Sequence, residues 1–179
     1  MHGSLSLRRA GADDVAALTD LSRRTFIDTY ASYNRPENLE DYLRQSLTVE
    51  QWRVELSTPG SVVLLAETDR GLAGYTEVRQ GFVPDCVRTP APVELARIYV
   101  AREFQGGGVG AALMTAALDE AVLKGGTALW LGVWQKNERA IAFYRRWKFE
   151  TVGTQFFPMG PELQEDWVML RELGPAPGE

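Results

Sequence analysis

Residues 93–149 read VELARIYVAREFQGGGVGAALMTAALDEAVLKGGTALWLGVWQKNERAIAFYRRWKF, and this stretch decides the fold of the chain. Its first residues are mostly apolar and include β-branched and aromatic side chains, which predict a strand. A glycine run at 105–110 follows, and apolar side chains at helical spacing then predict a helix that ends before Gly125. A second strand is predicted at 127–134, and a short helix that opens at Asn137. The order strand, glycine loop, helix, strand, helix is typical of an α/β protein.

The glycine run lies where a protein can hold a phosphate group. The first amides of a helix have no intrahelical acceptor, and the helix dipole places partial positive charge beside them. Glycines let an anion reach these amides because they carry no side chain. A tight turn that binds nothing is the alternative, but three consecutive glycines weaken a helix start. The run Gly106-Gly107-Gly108 therefore favours an anion site.

Two common phosphate-binding patterns account for the loop incompletely. A P-loop requires Lys and then Ser or Thr after its last glycine, whereas Ala111 and Ala112 stand here. The dinucleotide pattern G-x-G-x-x-G/A fits Gly106, Gly108 and Ala111, but it expects an acidic residue about 20 residues later. The next strand ends at residues 132–135, Gly-Val-Trp-Gln, without a carboxylate. Nucleotide binding therefore stays as the weaker alternative.

A third pattern fits the loop at every fixed position. Residues 105–110, Gln-Gly-Gly-Gly-Val-Gly, match Gln/Arg-x-x-Gly-x-Gly/Ala, the coenzyme A loop of the GCN5-related N-acetyltransferase (GNAT) family. Residues 94–100 resemble the fourth strand of that family, and residues 137–144 resemble its second cofactor segment. The three segments occur in the family's order, so the chain is identified as resembling this family.

The resemblance implies that the chain uses acetyl-CoA as a co-substrate and needs no metal. The cofactor-binding residues that it implies are Ile98, Tyr99, Val100, Gln105, Gly106, Gly107, Gly108, Val109, Gly110, Asn137, Phe143 and Tyr144. The family usually has a basic residue among the loop glycines, and none stands here, so amides are expected to bind most of the pyrophosphate. Arg102 is then an outer contact. The family's Gly-Phe after the second helix is replaced by Lys148-Phe149.

The rest of the chain predicts further strands and helices on either side of this stretch. Strands are predicted at 5–9, 61–68, 71–79, 151–157 and 166–173, and helices from Asp13 or Asp14 to about Tyr30, from Pro36, and from Thr48 to Leu56. This order predicts an α/β fold with a mixed, mostly antiparallel central sheet and helices on both faces, which is also the order of the GNAT family. A single domain over 1–179 is expected, with disordered tails at 1–4 and 174–179.

Composition excludes several classes of function. The chain has 179 residues and a formal net charge of −5, which argues against nucleic-acid binding. No apolar run approaches the about 20 residues that cross a bilayer, and the first residues lack a signal-peptide pattern, so no membrane partner is expected. Cys86 is the only cysteine, which fits a reducing cytosol and a cytoplasmic location. His2 is the only histidine, which argues against a catalytic triad or a His-ligated metal.

Acetyl transfer to an amine needs a proton donor for the departing thiolate. Tyr144 is the predicted donor, because it lies seven residues after Asn137, on the same helix face and about 10 Å along the axis. The alternative is a core tyrosine in the apolar stripe of that helix, and the family resemblance favours the donor role.

Transfer also needs a base for the amine and a donor for the thioester oxygen. Glu94 is the candidate base, since it is the only carboxylate between Asp85 and Glu103, and an exposed strand residue is an equally good interpretation. Glu77 in the preceding strand is the alternative base. The resemblance places the oxygen beside a strand amide of residues 98–100.

The acceptor is predicted from the N-terminal third, where residues 25–37 resemble bacterial spermidine/spermine acetyltransferases of the PaiA type. Tyr30, Tyr33 and Glu37 are the predicted substrate contacts, because aromatic rings and carboxylates attract an ammonium group. A polyamine or similar small primary amine is therefore expected. The alternatives are a peptide or ribosomal-protein amino terminus, or a non-catalytic module that senses acyl-CoA, and a homodimer is compatible with the sequence.

Overall fold

The computed structural model describes residues 4–174. Residues 1–3 and 175–179, on which most of the two predicted tails fall, lie outside this range. The helices are α1 (Val15–Tyr30), α2 (Pro36–Ser46), α3 (Val49–Ser57), α4 (Val109–Leu123) and α5 (Glu138–Arg146). The strands are β1 (Ser6–Arg9), β2 (Val62–Thr68), β3 (Gly71–Arg79), β4 (Pro92–Val100), β5 (Ala128–Trp134), β6 (Glu150–Met159) and β7 (Glu162–Glu172).

The seven strands form one sheet in the order β1-β2-β3-β4-β5-β7-β6. Five of the neighbouring pairs are antiparallel, and β4–β5 is the parallel pair. The predicted class, a mixed and mostly antiparallel sheet with helices, is confirmed. The strand β7 comes last in the chain but is inserted between β5 and β6, so it is an interior strand that pairs on both sides.

The parallel pair β4–β5 opens after three residues. Pro92, Val93 and Glu94 pair with residues 128–130, and no pairing with β5 continues beyond Glu94. The rest of β4 therefore faces a gap at the centre of the sheet. Backbone groups that line such a gap have no strand partner on that side and are available to a ligand.

The two faces of the sheet carry separate apolar cores. Helices α1, α2 and α3 cover one face, where the buried side chains include Leu18, Leu21, Phe26, Leu43, Trp52, Leu65 and Tyr75. Helices α4 and α5 cover the other face, where they include Leu95, Met114, Ala117, Ala121, Leu129, Leu131, Ile141 and Phe149. Residues at the end of α1 on one face, and of α4 and α5 on the other, line the gap between β4 and β5, so a ligand there would contact both sides of the sheet.

The β6–β7 hairpin is longer than the sequence predicts. It turns at Gly160, which has a φ of 61°, and β6 continues through Pro158. Proline usually ends a strand because it has no amide hydrogen, but an edge strand has one side on which no donor is needed. β6 is such an edge strand.

Among residues 4–174, no helix has both the length and the apolar character needed to cross a bilayer.

Candidate active site

A cleft of about 760 Å³ occupies the gap between β4 and β5. Its wall combines the end of α1 and the turn after it, strands β4 and β5, the glycine loop, and α5. The cleft runs through the sheet from the start of α4 to the carboxyl end of α1. One continuous space thus joins the predicted anion site to the predicted substrate residues.

The glycine loop presents bare backbone to this cleft. Gly106 and Gly108 have φ values of 83° and 86°, a region that favours glycine, and a β-carbon on either would meet no atom within 4 Å. The hydrogen bonds of α4 begin with the Ala112 amide, which donates to the Gly108 carbonyl at 3.0 Å. The amides of Val109, Gly110 and Ala111 precede that bond and have no intrahelical acceptor. Space, free amides and a helix N-terminus together suit a phosphate.

An arginine from α5 completes the loop. Arg139 Nη1 donates to Gln105 Oε1 at 2.7 Å, and Gln105 Nε2 donates to the Val100 carbonyl at 3.1 Å. The loop has no basic residue of its own, so Arg139 brings the positive charge from another element. Arg102, the predicted outer contact, and Arg146 also line the cleft. Arg139 and Arg146 are seven residues apart and therefore lie on one face of α5. Sequence analysis missed this pair of basic residues.

Most of the predicted cofactor residues lie together in the cleft wall. Those that line it are Ile98, Tyr99, Val100, Gln105, Gly106, Gly108, Gly110, Asn137, Phe143 and Tyr144. Gly107 and Val109 do not. The Gly107 amide donates to the Phe104 carbonyl at 3.4 Å, and the Val109 side chain is buried in the core between α4 and the sheet.

Helix α5 brings three predicted residues to the cleft. Asn137 is its N-cap, and the side-chain oxygen accepts a hydrogen bond from the Ala140 amide at 3.2 Å. Phe143 stands beside Gly110, where a β-carbon would be 3.7 Å from the ring. Tyr144 is 9% exposed and packs edge-on against Phe143 and Phe149. Burial raises the pKa of the Tyr144 phenol, so the group keeps its proton at neutral pH.

The two predicted bases lie outside the cleft wall. Glu94 stands directly across from Arg79 on β3, which donates to it from Nε at 2.6 Å and from Nη2 at 3.2 Å. Glu94 also belongs to the last residue pair before β4 and β5 separate. Glu77 is completely buried and forms an ion pair with Arg97, and burial raises its pKa. Neither carboxylate is presented to the cleft, because each is held by an arginine of the sheet.

The substrate end of the cleft is aromatic. Tyr30 and Tyr33 line it, as does Asp28. Trp134 at the end of β5 stands edge-on to Tyr33, with ring centroids 5.3 Å apart, and 6.2 Å from the ring of Tyr30. Glu37, the third predicted substrate contact, is exposed on the first turn of α2 and is not part of the cleft wall.

A second cavity of about 700 Å³ adjoins the cleft. It lies between α2 and the β6–β7 hairpin, where Asp41, Tyr42 and Pro158 contribute to its wall. Arg97 lines both spaces. An acceptor longer than the substrate end of the cleft therefore has room to continue along this face of the sheet.

Asp166 is a carboxylate that sequence analysis missed. It lies on β7 opposite Trp134 and is 7% exposed. Burial raises its pKa from 3.8 to about 7. The signal was available in the alternation of β7, since Asp166 shares a strand face with Val168 and Leu170, whereas Glu165 shares the other face with Trp167.

Comparisons with known proteins agree with this geometry. Residues 16–149 match the model of the acetyltransferase (GNAT) family. An uncharacterized N-acetyltransferase of Mycobacterium tuberculosis is 33% identical over 162 residues, which are 90% of this chain and 97% of that protein.

Two solved structures show how far the likeness in fold extends. The PaiA N-acetyltransferase of Thermoplasma acidophilum, in complex with coenzyme A, superposes with a TM-score of 0.74 at 22% identity, over 95% of this chain and 99% of that one. The ribosomal-protein-alanine N-acetyltransferase of Brucella melitensis gives a TM-score of 0.69 at 26% identity, over 94% and 99%. Two N-acetyltransferases with different names thus share this architecture.

Proposed function

The chain belongs to the GNAT family of acetyltransferases, and we propose that it moves an acetyl group from acetyl-CoA directly to a primary amine, with a polyamine or a similar small cationic amine as acceptor. The observation that carries the proposal is the continuous cleft through the β4–β5 gap. It joins the amides at the start of α4 to the aromatic surface of Tyr30 and Tyr33. A transferase needs such a passage, because its two substrates must meet at one point.

The residues around the glycine loop suit acetyl-CoA. The amides of Val109, Gly110 and Ala111 would donate hydrogen bonds to the pyrophosphate, and Arg139 would supply a positive charge beside the loop. The open edge of β4 at residues 98–100 would hold the pantetheine arm and present an amide to the thioester oxygen. The thioester supplies the activated acetyl group.

Tyr144 is the proposed acid. Its phenol lines the cleft, holds its proton at neutral pH and is fixed between Phe143 and Phe149. A fixed proton donor lowers the barrier to thiolate departure, because the developing negative charge on sulfur is neutralised as the bond breaks.

The acceptor end supports a cationic amine. The ring of Tyr33 lines the cleft and packs against Trp134, whose ring lies 5.7 Å from the Lys136 ammonium group. Aromatic faces attract ammonium groups, and Asp28 adds negative charge to the same wall. The competing acceptor is a peptide amino terminus, since the second cavity offers room beside the cleft.

The test is a thiol-release assay with acetyl-CoA across a panel of amines, corrected for hydrolysis without acceptor. Spermidine, spermine and short monoamines are compared with a peptide that carries a free amino-terminal alanine, and acetylated products are identified by mass spectrometry. Saturable turnover of the polyamines is the expected result. Turnover of the peptide alone would overturn the acceptor assignment, and tight acetyl-CoA binding without any turnover would identify a sensing module.

A further inference from the structure

We propose that Asp166 is the base of the reaction: it binds the ammonium group of the acceptor beside Trp134 and removes its proton. This inference rests on the proposed function and assigns to the same site a residue that lies outside every motif in the sequence.

The sheet register directs Asp166 toward the acceptor. Asp166 pairs directly with Trp134 across β7 and β5, and side chains of directly opposite residues lie on the same face of a sheet. That face carries Tyr33 and Tyr30, whose rings lie next to Trp134 at the substrate end of the cleft. The carboxylate is thus on the acceptor side of the sheet, opposite the layer of α4 and α5.

Asp166 lies directly behind the cleft wall, next to Gly132, and is not itself one of the residues that line the cleft. Gly132 lines the cleft, and the position of a β-carbon on Gly132 would be 3.4 Å from Asp166 Oδ2. The side-chain amide of Gln155, which also pairs with Asp166, fills the space that a side chain at residue 132 would occupy. A small ammonium group or a water molecule would reach the carboxylate from the cleft once the flexible Gln155 side chain turns aside, since residue 132 has no side chain of its own to block the approach.

Asp166 also differs from the other buried carboxylates in what it contacts. Glu77 is paired with Arg97, and Glu120 accepts two hydrogen bonds from Arg9 at 2.7 and 2.9 Å. For Asp166, no hydrogen bond or ion pair from residues 4–174 reaches the carboxylate oxygens. A buried carboxylate without a cation is unfavourable unless a partner arrives. An ammonium group of the acceptor supplies that partner.

Burial alone raises the pKa of Asp166, and the charged and titratable groups around it do not add to the shift. Lys136 follows β5 and stands over the Trp134 ring, more than 4.0 Å from the carboxylate, and Glu165 is exposed on the other face of β7. The Tyr30 phenol on α1 is close enough for the Asp166 charge to raise its pKa, after the larger effect of burial. Burial is the cause that brings the pKa of Asp166 to about 7. A base is most effective when its pKa lies near the working pH.

The proton balance of the reaction then closes. Asp166 takes one proton from the acceptor's ammonium group and later releases it to water. The neutral amine attacks the thioester carbonyl, so that a C–N bond forms as the C–S bond breaks. Tyr144 gives its proton to the departing sulfur and recovers one from the nitrogen as the amide forms. Two protons leave the nitrogen, one to sulfur through Tyr144 and one to solvent through Asp166.

The test compares the full-length chain with Asp166→Asn and with Glu165→Gln, the exposed neighbour on the opposite face. With spermidine at pH 7, Asp166→Asn is expected to lower kcat by about 100-fold or more, while Glu165→Gln stays within about twofold. For the parent, kcat at saturating amine should rise with pH to a plateau with a midpoint near 7, and this inflection should vanish in Asp166→Asn. The affinity for acetyl-CoA, measured by calorimetry, should be the same in all three proteins, which would show that the variants are folded.

A weakly basic amine separates proton removal from a structural role. Trifluoroethylamine is mostly uncharged at pH 7, so it needs no base before attack, and the defect of Asp166→Asn should shrink to within about tenfold of the parent. Asp166→Glu should retain more activity toward spermidine than Asp166→Asn. An equal defect with both amines, or an unchanged pH profile in Asp166→Asn, would overturn the role of Asp166 while leaving the transferase intact. Failure of the parent to acetylate any amine would instead overturn the proposed function and this inference with it.

Discussion

Arg139 on α5 and Gln105 at the start of the glycine loop are joined by a hydrogen bond of 2.7 Å. Gln105 in turn donates to the Val100 carbonyl at the end of β4, so the three elements that would hold the cofactor are linked by one side chain. The loop lacks a basic residue among its glycines, and Arg139 provides the positive charge that it would otherwise miss.

Replacing Arg139 with Ala should weaken acetyl-CoA binding by about 5- to 30-fold, because both a cation and the support of Gln105 are lost. Calorimetry at two salt concentrations measures the loss, which should be smaller at high salt. Arg145→Ala is the control, since Arg145 is exposed on the same helix and does not line the cleft. Equal losses in the two variants would mean that only the net charge of α5 matters.

Replacing Gly108 with Ala should both lower stability and weaken acetyl-CoA binding. The φ of 86° is unfavourable for alanine, which reduces the free energy of unfolding by about 1–2 kcal/mol. The added methyl group also occupies the open side of the loop. Urea unfolding and calorimetry measure the two effects separately.

Gly110→Ala is the matched control for strain at the glycine loop. Gly110 lies within α4, and its β-carbon would meet Phe143 and Val100 at an ordinary 3.7 Å. Its stability should therefore equal or exceed that of the parent, since alanine favours helix. Undiminished acetyl-CoA affinity in Gly108→Ala would contradict the binding role of the loop.

The parts of the site that follow from local sequence were predictable. A glycine run before a helix and an Asn seven residues before a Tyr are relations within one or two elements, and the structure brings Gly106, Gly108, Asn137 and Tyr144 to one cleft. Their cofactor and acid roles stay predictions. The mixed sheet was predictable for a similar reason, because the order of strands and helices along the chain limits the topologies available.

The carboxylates could not be assigned because their surroundings depend on strands distant in sequence. Glu94 looks free in the sequence, yet Arg79 on β3 stands directly across from it. Asp166 looks like a charge at the start of a strand, yet β7 enters the sheet beside β5 and buries it opposite Trp134. Glu37 lies on the exposed side of α2. The sequence did not reveal this, because the turn before Pro36 does not determine which side of α2 faces the cleft.

Tyr144→Phe should lower turnover by about 100-fold or more and leave acetyl-CoA affinity within about twofold. The ring keeps its packing against Phe143 and Phe149, so only the proton donor is removed. Pre-steady-state thiol release and calorimetry measure the two quantities. Turnover within a few-fold of the parent would show that Tyr144 serves packing and that another group, or water, protonates sulfur.

Asp28→Asn should raise KM for spermidine about 3- to 10-fold with little change in kcat, because Asp28 adds negative charge to the cleft wall and has no assigned part in proton transfer. Steady-state kinetics at low and high salt provide the measurement, and the effect should fade as salt rises. Glu37→Gln removes a similar charge outside the cleft wall and should leave KM within about twofold. A larger effect from Glu37 than from Asp28 would mean that the acceptor binds along α2 instead.

Asp166 should lower the stability of the protein at neutral and alkaline pH. Its pKa is about 7 in the folded chain and 3.8 in the reference state, so the folded chain binds the proton more tightly. Asp166 contributes its full share to the free energy of unfolding below about pH 4, where it is protonated in both states. This contribution is lost as the pH rises through 7, because the carboxyl group ionises at a lower pH in the unfolded chain than in the folded chain. The Asp166→Asn variant has no such loss. At pH 8 its free energy of unfolding should exceed that of the parent by on the order of 1–4 kcal/mol, and the two proteins should converge below pH 4.

Urea unfolding from pH 4 to 8 measures the difference, and Glu165→Gln is the control, whose free energy of unfolding should follow that of the parent at every pH. A constant difference at all pH values would mean that the carboxylate of Asp166 is not desolvated in the folded chain. A difference that opens between pH 4 and 7 would instead indicate a carboxylate that is buried without a cation. Such a carboxylate is expected in a site that binds a positively charged ligand.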